Sequence, residues 1–165
     1  MNDPHLTLLF LRKDNQTLLA MKKRGHGTGK WNGVGGKIEL DETIQQAAIR
    51  ECEEEIGVRP LKLTPAAELV FLEQEAGQPV ERLAYVYFCH DWQGEPIESD
   101  EMMPEWFDEA DIPYEAMWPA DHHWLPKALT GTKVFGTFRY NDQHELLEHT
   151  VSSVDTLPHE SDMTR

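Results

Sequence analysis

"GKIELDETIQQAAIRECEEEIGV", residues 36–58, decides how this chain is to be read. From residue 43 onward Ile44, Ala47, Ala48, Cys52 and Ile56 recur at the spacing of one helix face. Thr43 stands three residues before Gln46, the pattern of a capping box. Gly57 closes the helix and Pro60 keeps it from resuming. On that helix Glu51, Glu54 and Glu55 lie three and four residues apart, so all three project from nearly one face. Like charges at those spacings repel. A solvated acidic surface is the ordinary reading of such a run. Two features favour another reading: glycine and glutamate precede the cluster at fixed offsets, and Arg50 adjoins it. Carboxylates gathered on a rigid face form a hard-oxygen site suited to Mg²⁺ or Mn²⁺. A cation there would relieve the repulsion.

The rest of the chain fits a single domain built around this helix. Its 165 residues are enough to bury a core without disulfides or structural metals. A net charge of −15 argues against affinity for nucleic acid polymers or anionic membranes. An acidic protein handling an anionic substrate needs a cation or a local Lys/Arg cluster, and Lys22, Lys23, Arg24, Lys30 and Lys37 supply the second. Cys52 and Cys89 sit in apolar segments without metal-ligand spacing, as reduced thiols of a cytoplasmic protein would. The N-terminus lacks a basic leader and a small-residue cleavage site, and its apolar run is too short to span a bilayer.

Strand-like runs over 6–13 and 17–23 flank Asp14-Asn15-Gln16, a hairpin turn. A glycine-rich loop over 24–37 leads into the acidic helix. Further strands are expected over 66–73 and 81–90 around Gly77-Gln78-Pro79, and over 105–108. A second helix is expected within 114–130, from about Ala120 to near Gly131. A hairpin over 133–140 and 144–154 turns at Asn141-Asp142. Residues 1–154 are thus expected to form one domain and 155–165 a polar, frayed tail. Strands dominate, and the two helices are spaced to cover opposite faces of one mixed sheet: an α/β class fold, a sheet sandwiched between helices.

Residues 36–58 resemble the signature of the Nudix hydrolases, Gly-x5-Glu-x7-Arg-Glu-U-x-Glu-Glu-x-Gly-U with U bulky and apolar. It is met here by Gly36, Glu42, Arg50, Glu51, Cys52, Glu54, Glu55, Gly57 and Val58, with Cys52 smaller than usual. The resemblance implies the Nudix fold and Mg²⁺-dependent hydrolysis of a nucleoside diphosphate linked to a further group. It implies metal binding by Glu51, Glu54, Glu55 and the Gly35 carbonyl, with one of the glutamates activating water. Arg50 would fix the carboxylates and Glu42 the loop.

"MKKRGHGTGKWNGVGGK", "PIESDEMMPEWF" and "MWPADHHWLPKAL" further resemble the branch of that family that hydrolyses oxidised purine nucleoside triphosphates, such as 8-oxo-dGTP, to monophosphate and pyrophosphate. That likeness implies hydrogen bonding of the purine by Asn32 and Asp121 and stacking on Trp118. It places Thr7, Lys22 and Phe71 in the pocket and makes Glu101 a further carboxylate at the metal centre. Lys37, from the basic loop, would face the phosphates. The substrate would be a small-molecule nucleoside triphosphate bound by a monomer. Taken singly, Trp118 could equally be a core aromatic before a helix, Asn32 a turn former and Asp121 a helix cap. Two positions depart from the branch: Ala120 stands where it carries the first of two aspartates, and His26 where it carries a phenylalanine.

Overall fold

The computed structural model describes residues 5–158 and 160. Its strands are β1 (His5–Lys13), β2 (Gln16–Lys22), β3 (Trp31–Asn32), β4 (Arg59–Glu75), β5 (Gln78–Gln93), β6 (Met102–Asp108), β7 (Lys133–Tyr140) and β8 (Leu146–Val154). The helices are α1 (Ile44–Ile56) and α2 (Asp121–Leu129). Among the described residues the strands form one mixed sheet in the order β3-β2-β1-β5-β4-β7-β8, with β6 pairing β2. The pairs β1·β5 and β4·β7 are parallel and the other strand pairs antiparallel.

Alternation along β1 sorts the core into two layers. Phe10 points into the cluster with Trp124, Leu125 and Ala128 of α2, whereas Leu9 and Leu11 point into the cluster with Ala48, Cys52 and Ile56 of α1. The helices therefore cover opposite faces, as the sequence implies. α1 begins and ends where expected: Gln46 N–H donates to Thr43 Oγ1 at 3.0 Å, Thr43 N–H donates to Gln46 Oε1 at 2.9 Å, and Gly57 takes the left-handed conformation with φ 72°.

Several boundaries differ from the sequence expectation. β4 starts at Arg59 and not at residue 66. Pro60 and Pro65 sit at its register shifts, where a missing N–H costs the ladder little. β6 likewise extends back to Met102 through Pro104. The stretch before α2 makes 3₁₀ turns at Glu109–Asp111 and Tyr114–Ala116 instead of a continuous helix. The last strand starts at Leu146, because His144 adopts a left-handed conformation, φ 62°. Past Val154, Leu157 is buried against the α1-side core and Lys133 Nζ contacts Glu160 at 2.7 Å. The remainder of the expected tail, 159 and 161–165, lies outside the described residues. No described helix is long and apolar enough to cross a membrane.

One feature of the sheet builds the site. β1 and β2 pair only at their hairpin end, Arg12↔Thr17 and Lys13↔Gln16, and then diverge. The segment 31–37 fills the opening. Trp31 and Asn32 pair with Met21 and Ala20 of β2, and Val34 and Lys37 then bridge to Leu9 and Leu6 of β1.

Candidate active site

Segment 31–37 presents alternate backbone groups to opposite sides. Val34 exchanges both hydrogen bonds with Leu9, at 2.7 and 2.9 Å, so Gly35 between its neighbours must face away from β1. The Gly35 N–H donates to Glu55 Oε1 at 3.1 Å. Side chains are excluded here by contact: a Cβ on Gly35 would strike the Thr7 carbonyl, and one on Gly36 would strike the Glu51 carboxylate.

The four candidate metal carboxylates differ in environment. Glu55 is buried, and burial, then Glu51 and Glu101, push its carboxyl up to about 8 against the Gly35 N–H and the Lys22 charge. Glu51 is half-buried and also raised, first by burial and then by Glu54 and Glu101, with Arg50 opposing. Glu54 lies on the exposed side, and Glu101 sits 3.8 Å from Arg24. Arg50 is the hub. It donates from Nε and Nη2 to Glu42 at 2.6 and 3.1 Å and from Nη2 to the Lys37 carbonyl at 3.0 Å. Its Nη1 lies 3.3 Å from both Glu51 and Glu54. The Glu42 carboxyl is held down by that hydrogen bond. Glu42 and Arg50 thus tie the loop before α1 to the helix.

Among the described residues no three His, Cys, Asp or Glu side chains converge closely enough to share an ion. The expected ligands are neighbours, with Glu51 and Glu54 turned onto Arg50. The donor set nevertheless fits a hard divalent cation. It consists of carboxylates and one backbone carbonyl, and the buried Glu55 has its charge opposed only in part.

A cavity of about 520 Å³ adjoins this acidic face. It is lined by Thr7, Lys22, Asn32, Gly35, Lys37, Phe71, Trp118 and Asp121, so every residue expected in the substrate pocket opens onto it. Asp121 is buried. Its Oδ1 accepts from Trp124 Nε1 at 3.0 Å, while its Oδ2 has no partner. Burial pushes the Asp121 carboxyl up to about 7 against that hydrogen bond. Thr7 Oγ1 is also buried without a partner. Two orphaned polar atoms in one cavity are groups awaiting a ligand. Asn32 serves the turn as well: its Oδ1 accepts from the Gly33 N–H at 2.8 Å, which leaves its amide donors to the cavity. Asp121 is not a cap. The capping position belongs to Ala120, which is helical and makes no side-chain cap.

Sequence reasoning missed part of this wall. Tyr140 lines the cavity and accepts the Ala120 N–H at 3.0 Å, fixing the turn into α2. Its inward position could have been found from the alternation of Val134, Gly136 and Phe138 along β7. Glu73, Glu75 and Arg82 also line the cavity, with Arg82 ion-paired to both carboxylates. No local sequence signal announced that three charges would face a pocket.

The profile of the NUDIX domain matches residues 1–128. The oxidized purine nucleoside triphosphate hydrolase of Danio rerio is 39% identical over 92% of this chain and 96% of its own length. The mouse protein of the same name is 37% identical over the same shares. Among solved structures, a MutT protein from Bacillus halodurans superposes with a TM-score of 0.78 at 25% identity, covering 90% of this chain and 97% of that one. Signature, fold and full-length similarity agree: the chain belongs to the Nudix family.

Proposed function

We propose that this protein hydrolyses modified purine nucleoside triphosphates of the 8-oxo-dGTP type to the monophosphate and pyrophosphate, with Mg²⁺, or Mn²⁺ in its place. The observation that carries the reading is the pairing of two ends in one cavity. At one end Asp121 Oδ2 and Thr7 Oγ1 lie buried and unpaired beside the Trp118 indole, and the other end opens beside Gly35 and the α1 carboxylates. Small-molecule nucleotide chemistry suits a member of this family, and the relatives named for oxidised purine nucleotides cover the chain almost end to end.

The residues divide the work by chemistry. Trp118 offers an aromatic face to a purine, a contact worth about 1–3 kcal/mol. Asn32 donates to the base edge from its amide. Asp121, with its carboxyl near neutrality, presents a mixture of acceptor and donor forms at physiological pH. Lys22 and Lys37 offset phosphate charge along the way to Gly35. Glu51, Glu54, Glu55 and Glu101 with the Gly35 carbonyl would hold the divalent cation, whose chemistry is to neutralise phosphate charge and acidify water. Water adds to phosphorus, the bond to the bridging oxygen breaks, and the water proton passes to one of the box carboxylates. Arg50 keeps those carboxylates aligned by ion pairing and does not touch substrate.

Ala120 favours a second reading of the base. It is fully buried and brings no polar side chain, so no second carboxyl stands beside Asp121 at the base edge. A single carboxyl able to accept or donate accommodates O6-methylated as well as oxidised guanine. Pyrophosphate release from 8-oxo-dGTP, O6-methyl-dGTP and dGTP, ranked by kcat/KM, tests both readings. Absence of turnover of all three with Mg²⁺ and Mn²⁺ ends the enzymatic one. A catalytically silent nucleotide-binding module would give that same result with nucleotide binding intact.

A further inference from the structure

The Trp118 platform is braced from two directions by histidines. His26, in the glycine-rich loop, stacks on the indole with ring centroids 5.1 Å apart and planes at 28°. His144 meets Trp118 edge-on at 5.6 Å and 77°, and meets His26 at 5.4 Å and 65°. His144 sits at the tip of the β7–β8 hairpin with φ 62°, a left-handed conformation uncommon outside glycine that histidine adopts more often than most residues. The tip is built to hold it there. Asn141 Oδ1 accepts from the Gln143 and Glu145 N–H groups at 2.9 and 3.0 Å, and its Nδ2 donates to Glu145 at 2.8 Å. The His144 N–H in turn donates to the Asn141 carbonyl at 3.1 Å. Glycine would take this backbone at no steric cost, and histidine adds the ring contacts with Trp118 and His26.

We propose that His144 is a positioning residue for the base: edge-on against Trp118 and His26, it fixes the indole plane on which the purine stacks and holds His26 as the outer wall of the pocket. This rests on the purine nucleotide reading above. Edge-to-face packing of this kind orients a ring without hydrogen bonding to it. His144 does not line the cavity, and Trp118, half-buried, keeps its other contacts with Tyr140, edge-on at 6.3 Å, and with Lys30, 5.1 Å above its ring. Burial and His144 hold the His26 ring below its usual value, with Arg82 adding to them and Glu73 and Glu75 opposing.

Three variants and two readouts test it. His144→Ala is expected to raise KM for 8-oxo-dGTP or dGTP about three- to tenfold, the span of one to two such ring contacts, with kcat within about twofold. His144→Phe, which keeps the aromatic edge, restores KM. His144→Gly, which deletes the ring and relieves the backbone as well, behaves as His144→Ala. In parallel, NMR signals of the His26 ring and the Trp118 indole N–H are expected to move in His144→Ala without nucleotide. Unchanged KM in His144→Ala with wild-type turnover intact overturns the positioning role, as do unmoved ring signals. If the wild-type protein neither binds nor hydrolyses either nucleotide, the purine reading itself has failed and takes this role with it.

Discussion

Asp121 and Glu55 show how burial tunes single carboxyls here, and Asp121 gives a pH prediction of definite sign. Its folded-state value, about 7, lies above the unfolded value of about 4, so the native state binds the extra proton in between. The associated stability is fully present below about pH 4, falls as pH rises toward 7 and is level above. Asp121→Asn removes that slope. Denaturant unfolding at pH 5 and pH 8 is expected to show the wild type losing about 1–4 kcal/mol more than the variant across the interval. An equal pH response in the two proteins contradicts the assignment. Glu55→Gln is expected to lower kcat by at least about a hundredfold, a loss of some 3 kcal/mol in transition-state stabilisation, while nucleotide binding persists. Because it also deletes a buried charge crowded by Glu51 and Glu101, the metal-free variant should melt no lower than the wild type. Steady-state kinetics and thermal melts in EDTA check the two halves separately.

At the scale of the element, α1 was legible because its signals are local. Periodicity, a capping box and a C-terminal glycine fall within 15 consecutive positions, Thr43 to Gly57, and the helix forms between them. Thr43→Ala is expected to cost about 1 kcal/mol by the loss of one cap, measured by chemical denaturation, with little effect on the nucleotide base preference. Arg50→Ala should cost about 1–3 kcal/mol, because it strands the part-buried Glu42 carboxylate and releases the Lys37 carbonyl. It should also raise the divalent-ion concentration needed for half-maximal activity, since Glu51 and Glu54 lose their common partner. β4 was only half legible. Pro60 and Pro65 read locally as strand breakers, and the bulges that accommodate them are set by pairing with Trp92 and Tyr87 of β5, far away in sequence. The same holds for the pocket wall. Asn32, Trp118 and Asp121 could be named from resemblance, but Glu73 and Arg82 enter the cavity only through sheet register.

For the whole molecule the governing fact is a net charge of −15 concentrated in part on the face that must meet a polyanion. Metal and protein are therefore expected to be thermodynamically linked. A divalent cation that binds the folded chain alone raises the melting temperature in proportion to RT ln(1 + [M]/Kd), about 2.7 kcal/mol at a hundredfold excess over Kd. Calorimetric scans in EDTA, Mg²⁺ and Ca²⁺ should show the rise with both metals. In Glu51→Gln/Glu55→Gln the rise should vanish. Persistence in the double variant would place the cation elsewhere. The two-layer core around β1 was readable from composition and alternation, since apolar residues on both parities require cover on both faces. The opening between β1 and β2 was not, because a hairpin sequence does not state where its strands part.

That parting makes the connector 31–37 a ruler. Asn32 marks one end, paired with Ala20 of β2, and Gly35 the other, between Val34 and Gly36, which are hydrogen-bonded to Leu9 and Thr7 of β1. Three extended residues measure about 10 Å, so on the proposed reading main chain and not adjustable side chains would set the separation between base and cleaved phosphorus. Such a gauge counts bonds along the substrate. On the proposed reading it would accept different purines at the aromatic end and cut each of them at the same phosphate.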